Sequence, residues 1–143
     1  MSTVYARKRS LSEYEFYSNA LALRNEVTRV AMNERMVPKR YRFIYAVPLV
    51  EMGRSLVYNI NRADQFYPNS EENVIERRRY LTLAVADVEQ VCLELQSMME
   101  LGLPIDVRRL EELVKTCERE IALLRGARKN VRLVGRGRAT DAV

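Results

Sequence analysis

Apolar residues recur at helical spacing in four successive runs, each bounded by capping or turn chemistry. The first run places Leu11, Tyr14, Ala20, Leu21, Val27 and Ala31 on one stripe, widened by Phe16, Tyr17, Leu23 and Val30, and predicts a helix over residues 12–33. Ser10-Leu11-Ser12-Glu13 and Ser12-Glu13-Tyr14-Glu15 each set a hydroxyl ahead of a carboxylate, the pattern of a capped start. The second run predicts a helix over 38–65. Pro38 suits its first turn, because the missing N–H would be unpaired there anyway. The third, with Val74, Leu81, Ala84, Val85, Val88, Cys92, Leu95 and Met99, predicts a helix over 71–101, entered through the turn at 66–70 and closed by Gly102 and Pro104. The fourth is capped by Asp106, carries Leu110, Leu113, Val114, Cys117, Ile121 and Leu124, and runs to Asn130. Residues 131–143 show no pattern and are predicted to be disordered when free.

Four long helices joined by short turns predict an all-α, up-down-up-down four-helix bundle over 12–130, with a basic N-terminal arm at 1–11 and a basic tail at 131–143. The centre of the second helix, Phe43-Ile44-Tyr45-Ala46-Val47-Pro48-Leu49-Val50, is apolar on every side. Such a helix must be buried on more than one face, whereas a bundle this small covers only one. The spare face is assigned to a neighbouring subunit in preference to an irregular core. Pro48 removes a backbone hydrogen bond and clashes with the carbonyl of Ile44, which predicts a kink.

The length of 143 residues suits one domain with its own core. Net charge is +5, and Arg supplies nearly all of the positive charge. Arg suits bidentate phosphate contacts and stacking on bases, so the composition points to nucleic acid, or less often to an acidic protein or a membrane. Cys92 and Cys117 fall at core-type positions, where packing is the default reading. The arm carries Arg7, Lys8 and Arg9 with no apolar run behind them, so no signal peptide is read. No stretch reaches the roughly 18 apolar residues of a membrane span. A cytoplasmic location is expected.

Antiparallel packing sorts the cations. One end collects Arg7, Lys8, Arg9, Arg62, Arg77, Arg78, Arg79, Arg125, Arg128, Lys129 and Arg132, and the other Arg29, Arg35, Lys39, Arg40 and Arg42. Between them the third and fourth helices read as acidic, through Asp87, Glu89, Glu94, Glu111, Glu112, Glu118 and Glu120. Lys39, Arg40 and Arg42 crowd a helix start, where the macrodipole is already positive. They are either offered to an anion or solvated, with salt making the cost small. The acid-free run 125–138 is read as phosphate-binding, because a helix C-terminus explains Arg125, Arg128 and Lys129 but not Arg132, Arg136 and Arg138. The residues assigned to nucleic acid are thus Lys39, Arg40, Arg42, Arg77, Arg78, Arg79, Arg125, Arg128, Lys129 and Arg132. Tyr5, Tyr41, Tyr45 and Tyr80 lie near basic residues and are candidates for base stacking, with packing the commoner fate.

Histidine is absent, which removes the usual general base and the commonest metal ligand. Two cysteines have neither the number nor the spacing of a zinc site, and no Gly-rich phosphate loop or serine nucleophile motif is present. No catalytic residue, cofactor or metal is expected.

Three segments carry a family likeness: Pro38-Lys39-Arg40-Tyr41-Arg42-Phe43, Met99-Glu100-Leu101-Gly102-Leu103, and Glu120-Ile121-Ala122-Leu123-Leu124-Arg125-Gly126. Over about residues 14–130 the chain resembles the four-helix-bundle family that includes the accessory variability determinant of diversity-generating retroelements and the proteins of ribosomal RNA intervening sequences. Asn59-Ile60-Asn61-Arg62-Ala63 stands where the ribosomal branch carries an Asn-Ile-Ala-Glu-Gly-like run, which favours the retroelement branch. Ala127-Arg128-Lys129-Asn130 replaces the apolar, aromatic helix end of that accessory protein. The resemblance implies a non-enzymatic homopentamer that binds template RNA or an RNA/DNA hybrid together with the element's reverse transcriptase, in support of mutagenic cDNA synthesis. An oligomeric protein-interaction scaffold with basic docking surfaces is the alternative.

Overall fold

The computed structural model describes residues 11–135. Among the described residues there are four α-helices and no strand: α1 Glu15–Met32, α2 Val47–Gln65, α3 Glu71–Glu100 and α4 Val107–Lys129. α1 packs against α2 and α4, and α3 against the same two, so the helices form a bundle. Leu23, Leu49, Leu56, Ile60, Leu95, Met98 and Leu124 are wholly enclosed in the core between them.

Local chemistry sets most of the boundaries. The Ser70 hydroxyl accepts from the Asn73 N–H at 3.1 Å, and the Asp106 carboxylate accepts from the Arg108 N–H at 3.0 Å, so each satisfies an orphan donor of the helix it opens. Gly102 adopts φ +76°, which lets the Gly102 N–H reach the Met99 carbonyl and the Leu103 N–H reach the Met98 carbonyl, both at 3.0 Å. Leu103 then folds under the helix end onto the buried Met98 side.

Two boundaries differ from expectation. α1 starts at Glu15 rather than residue 12: Tyr14 is extended (φ −85°, ψ 132°) and no side chain caps this N-terminus. Ser10, the other capping candidate, lies outside the described residues. The second helix does not begin as an α-helix at Pro38. Lys39–Tyr41 form a 3₁₀ turn, Arg42–Ala46 a π turn, and only Val47 opens α2. Pro48 is the physical reason. Lacking an N–H and crowding the carbonyl of Ile44, it is tolerated only in a first turn, and it occupies that position in α2. The wider π turn, closed by the Val47 N–H on the Arg42 carbonyl, absorbs the mismatch where a simple kink was expected.

Neither Asp87 nor Glu120 is the solvated surface charge that its place in the acidic stretch implied. Asp87 is half-buried between α2 and α3, accepting from Ser55 Oγ at 2.8 Å and Asn59 Nδ2 at 2.7 Å. Burial pushes its carboxyl up, against the pull of Ser55, Asn59 and the Arg62 charge. Glu120 is 0% exposed in the α1–α4 seam. Its Oε1 accepts from Asn19 Nδ2 at 3.1 Å, and its Oε2 has no partner among the described residues. The 113–117–120–124 spacing puts Glu120 on the inward stripe of α4, so the pattern alone carried the signal.

Burial pushes the Glu120 carboxyl up to about 8; the Asn19 amide offsets part of this, and the Glu15 charge adds to it. An unfolded chain releases this proton near the ordinary value of 4.5, whereas the folded chain keeps it to about 8. Stability from this group therefore falls as pH rises from 4.5 towards 8 and stays low above that. Glu120→Gln is expected to flatten this fall and to stabilise the protein at alkaline pH by on the order of 2 kcal/mol, with little effect in acid. Thermal unfolding followed by circular dichroism across that range checks it; parallel profiles for the two proteins would count against a titrating Glu120.

Candidate nucleic-acid interface

The candidate cations fall into two groups, near opposite ends of α2, whose nineteen residues span about 28 Å at 1.5 Å per residue. The first group precedes α2. Lys39 and Arg40 are exposed on the 3₁₀ turn, with the Arg40 guanidinium 5.1 Å from the centre of the Tyr41 ring. Arg42 is exposed and loosely paired with Glu34 at 3.8 Å, a distance worth little in water. Lys39 and Arg42 line a groove of about 460 Å³ between the end of α1 and the start of α2. Its lining is largely apolar (Ala31, Val37, Ala46, Val47, Val50), and Arg54 adds a third cation alongside Glu34 and Glu51. Arg54 was missed in the sequence, although it follows Val47 and Val50 at helical spacing on one face.

Beside that groove lies an uncovered apolar face. Phe43 is 82% exposed, Ile44 59% and Met32 73%, with Val47 next to them, while Tyr45 and Ala46 turn inward. Tyr45 is spent on the core, its hydroxyl 2.6 Å from Ser97 Oγ. It offers no ring to a base. Tyr41 remains half-buried beside Arg40, and Tyr5 lies outside the described residues.

The second group sits where the end of α2, the start of α3 and the end of α4 meet. Most of its members already have work inside the chain. Arg77 donates to the Phe66 carbonyl at 3.2 Å and lies 3.9 Å from Asp64. Arg78 donates to the Val131 carbonyl at 2.7 Å, and Arg128 to Thr82 Oγ1 at 3.2 Å. Arg125 pairs with Glu89 at 3.0 Å and Arg79 with Glu76 at 3.4 Å, both partly exposed. Arg79 also stands 5.8 Å from the ring of Tyr80, which stacks on Phe66. Lys129 and Arg132 are exposed and have no partner among the described residues.

The segment after α4 lies against the bundle. Val131 is buried, and the Val134 N–H donates to the Pro68 carbonyl at 2.8 Å. With Leu11, Phe16, Ile60, Leu81 and Leu123 these residues line an apolar cup of about 640 Å³, edged by Arg77 and Arg132. Arg7, Lys8, Arg9, Arg136 and Arg138 lie outside the described residues.

Internal hydrogen bonding thus divides the candidates into bridging arginines and free cations. Arg78→Ala should cost about 1–2 kcal/mol, because it strips the Val131 carbonyl of its charged donor. Lys129→Ala and Arg132→Ala should stay within about 0.5 kcal/mol of the parent. Urea unfolding of the three variants separates the classes, and equal midpoints would place Arg78 among the free cations.

Compared with known proteins, the chain matches no family model, no curated protein and no solved structure.

Proposed function

We propose that this chain is a non-enzymatic, nucleic-acid-binding accessory protein of a diversity-generating retroelement, acting in the cytoplasm beside that element's reverse transcriptase during template-RNA-directed, mutagenic cDNA synthesis. The observation that carries this reading is the exposed trio Lys39, Arg40 and Arg42 followed directly in the chain by the uncovered side chains of Phe43 and Ile44, with Val47 one turn further on. Apolar side chains left this open are a usual mark of a protein contact. A second copy seated there would bring two sets of cations together along one edge. Repeated around a ring, for which a homopentamer is the proposed form, a modest patch gains affinity through multivalency. An up-down-up-down path of the helices is part of the proposal. It is supported by pairs whose numbers run in opposite senses, Glu15 with Arg119 and Glu26 with Arg109 between α1 and α4.

RNA, or an RNA/DNA hybrid, is favoured over base-specific recognition of a duplex. The cations sit on short turns beside Tyr41 rather than along one regular helix face, which suits phosphate contact plus an occasional stacked base. Lys129 and Arg132 extend the surface at the other end, and Arg79 and Arg125, partly exposed, can exchange their present acids for phosphate.

One finding favours a second reading. Arg77, Arg78 and Arg128 are engaged within the chain, which lowers the free positive charge and leaves room for a scaffold whose basic ends dock an acidic protein. Direct binding separates the two: a structured RNA, added alone at moderate salt, binds an accessory protein of the first kind and is not retained by a scaffold whose ends fit only an acidic protein.

Light scattering on a sizing column should give an oligomer that shifts when a structured RNA is added. Lys39→Ala, Arg40→Ala and Arg42→Ala combined should leave helicity intact and reduce the slope of log affinity against log salt by about 2. Phe43→Glu with Ile44→Glu should dissociate the oligomer. A monomer that ignores RNA at low salt would remove the retroelement reading, and an unchanged salt slope would move the interface away from the second helix.

A further inference from the structure

The two cysteines of the chain face one another across the α3–α4 seam. Thr82 is opposite Arg128 and Glu89 opposite Arg125, so numbers that rise along α3 fall along α4, and that register brings Cys92 level with Cys117. Cys117 belongs to the buried core and Cys92 packs against that core, close enough for each thiol to alter the acidity of the other. Cys92 is partly open to solvent, and Cys117 is 0% exposed. A reachable thiol beside a sheltered one is the arrangement of an attacking and a resolving cysteine.

We propose that Cys92 and Cys117 are a peroxide-responsive dithiol that closes to an intramolecular disulfide, tying α3 to α4. Acidity agrees with this placement: the neighbouring Cys117 thiol pulls the Cys92 thiol below its ordinary value, against burial and the charges of Glu118 and Glu89. The same proximity, with burial, drives Cys117 up. Cys92, the more exposed of the two, is the thiol a peroxide reaches and so the one that attacks.

The chemistry balances with a hydroperoxide as oxidant. Cys92 releases its proton to water, and its sulfur attacks one oxygen of hydrogen peroxide. The O–O bond breaks, and the departing hydroxide takes up a proton to leave as water. Cys92 is now a sulfenic acid. The Cys117 sulfur, losing its own proton, attacks the Cys92 sulfur; the S–S bond forms, the S–O bond breaks, and hydroxide leaves as a second water. Two thiols are oxidised and one peroxide is reduced to two waters. This proposal stands apart from the nucleic-acid reading and uses none of its residues.

Full-length protein is treated with a small excess of hydrogen peroxide, unfolded in an alkylating reagent, and mapped by peptide mass spectrometry. The expected result is joint loss of both free thiols and one cross-linked peptide pair within a single chain, reversed by dithiothreitol. Free Cys117 beside over-oxidised Cys92, links only between chains, or two alkylated cysteines would each overturn the proposal. Cys117→Ser should leave a Cys92 sulfenic acid that dimedone captures, and Cys92→Ser should slow oxidation of Cys117 at least tenfold; oxidation of Cys117 at the parent rate would refute the assigned order. The mapping of the parent protein decides the question even where a variant fails to fold.

Discussion

A proline without a donor controls how the second helical segment meets the rest of the bundle. Pro48 is tolerated only near a helix start, so the α-helix restarts at Val47 and the preceding residues wind as 3₁₀ and π turns. That winding decides which apolar side chains go inward. Tyr45 and Ala46 reach the core and Tyr45 meets Ser97, whereas Phe43 and Ile44 are left in solvent. It also sets Lys39, Arg40 and Arg42 on short turns ahead of α2, away from the first turn of a long helix and its full macrodipole. The charge cluster and the apolar face share this one backbone cause.

Elsewhere the bundle uses its arginines as bridges. A guanidinium presents several donors in a fixed fork, which suits carbonyls left open at helix ends and turns. Arg77 serves the Phe66 carbonyl and Arg78 the Val131 carbonyl, so the turn after α2 and the segment after α4 are both held to α3. The seams are less uniform than the apolar stripes imply. Asp87 is matched by Ser55 and Asn59, while Glu120 enters the α1–α4 seam with one oxygen unpaired among the described residues. A carboxyl so placed is held by surrounding packing and keeps its proton more readily than an exposed one.

Periodicity made the helices legible because each stripe is long and each boundary carries its own chemistry. Ser70, Asp106 and Gly102 act where the sequence placed them, through local hydrogen bonds that need no distant partner. The start of α1 was misjudged for the opposite reason. Capping signatures overlap there, and the extended backbone at Tyr14 determines where winding begins. Of the candidate site, exposure at Lys39, Arg40 and Arg42 was legible, since no nearby helical stripe claims them. The engagement of Arg77, Arg78 and Arg128 was not, because their partners are carbonyl or hydroxyl groups on other segments, and every residue type carries a carbonyl.

The sequence by itself determined a helical protein of four segments, rich in arginine, with a second segment too apolar for one buried face. Those properties follow from side-chain spacing, backbone propensity and charge, which act over one or two turns. Only the tertiary structure decided which cations stay free, that Glu120 is enclosed, that Cys92 packs against the core holding Cys117, and that Val131 and Val134 lie on the bundle. Each of these depends on the register between helices. A rotation or slide of one helix past another changes every such contact while leaving the apolar period of each helix unaltered.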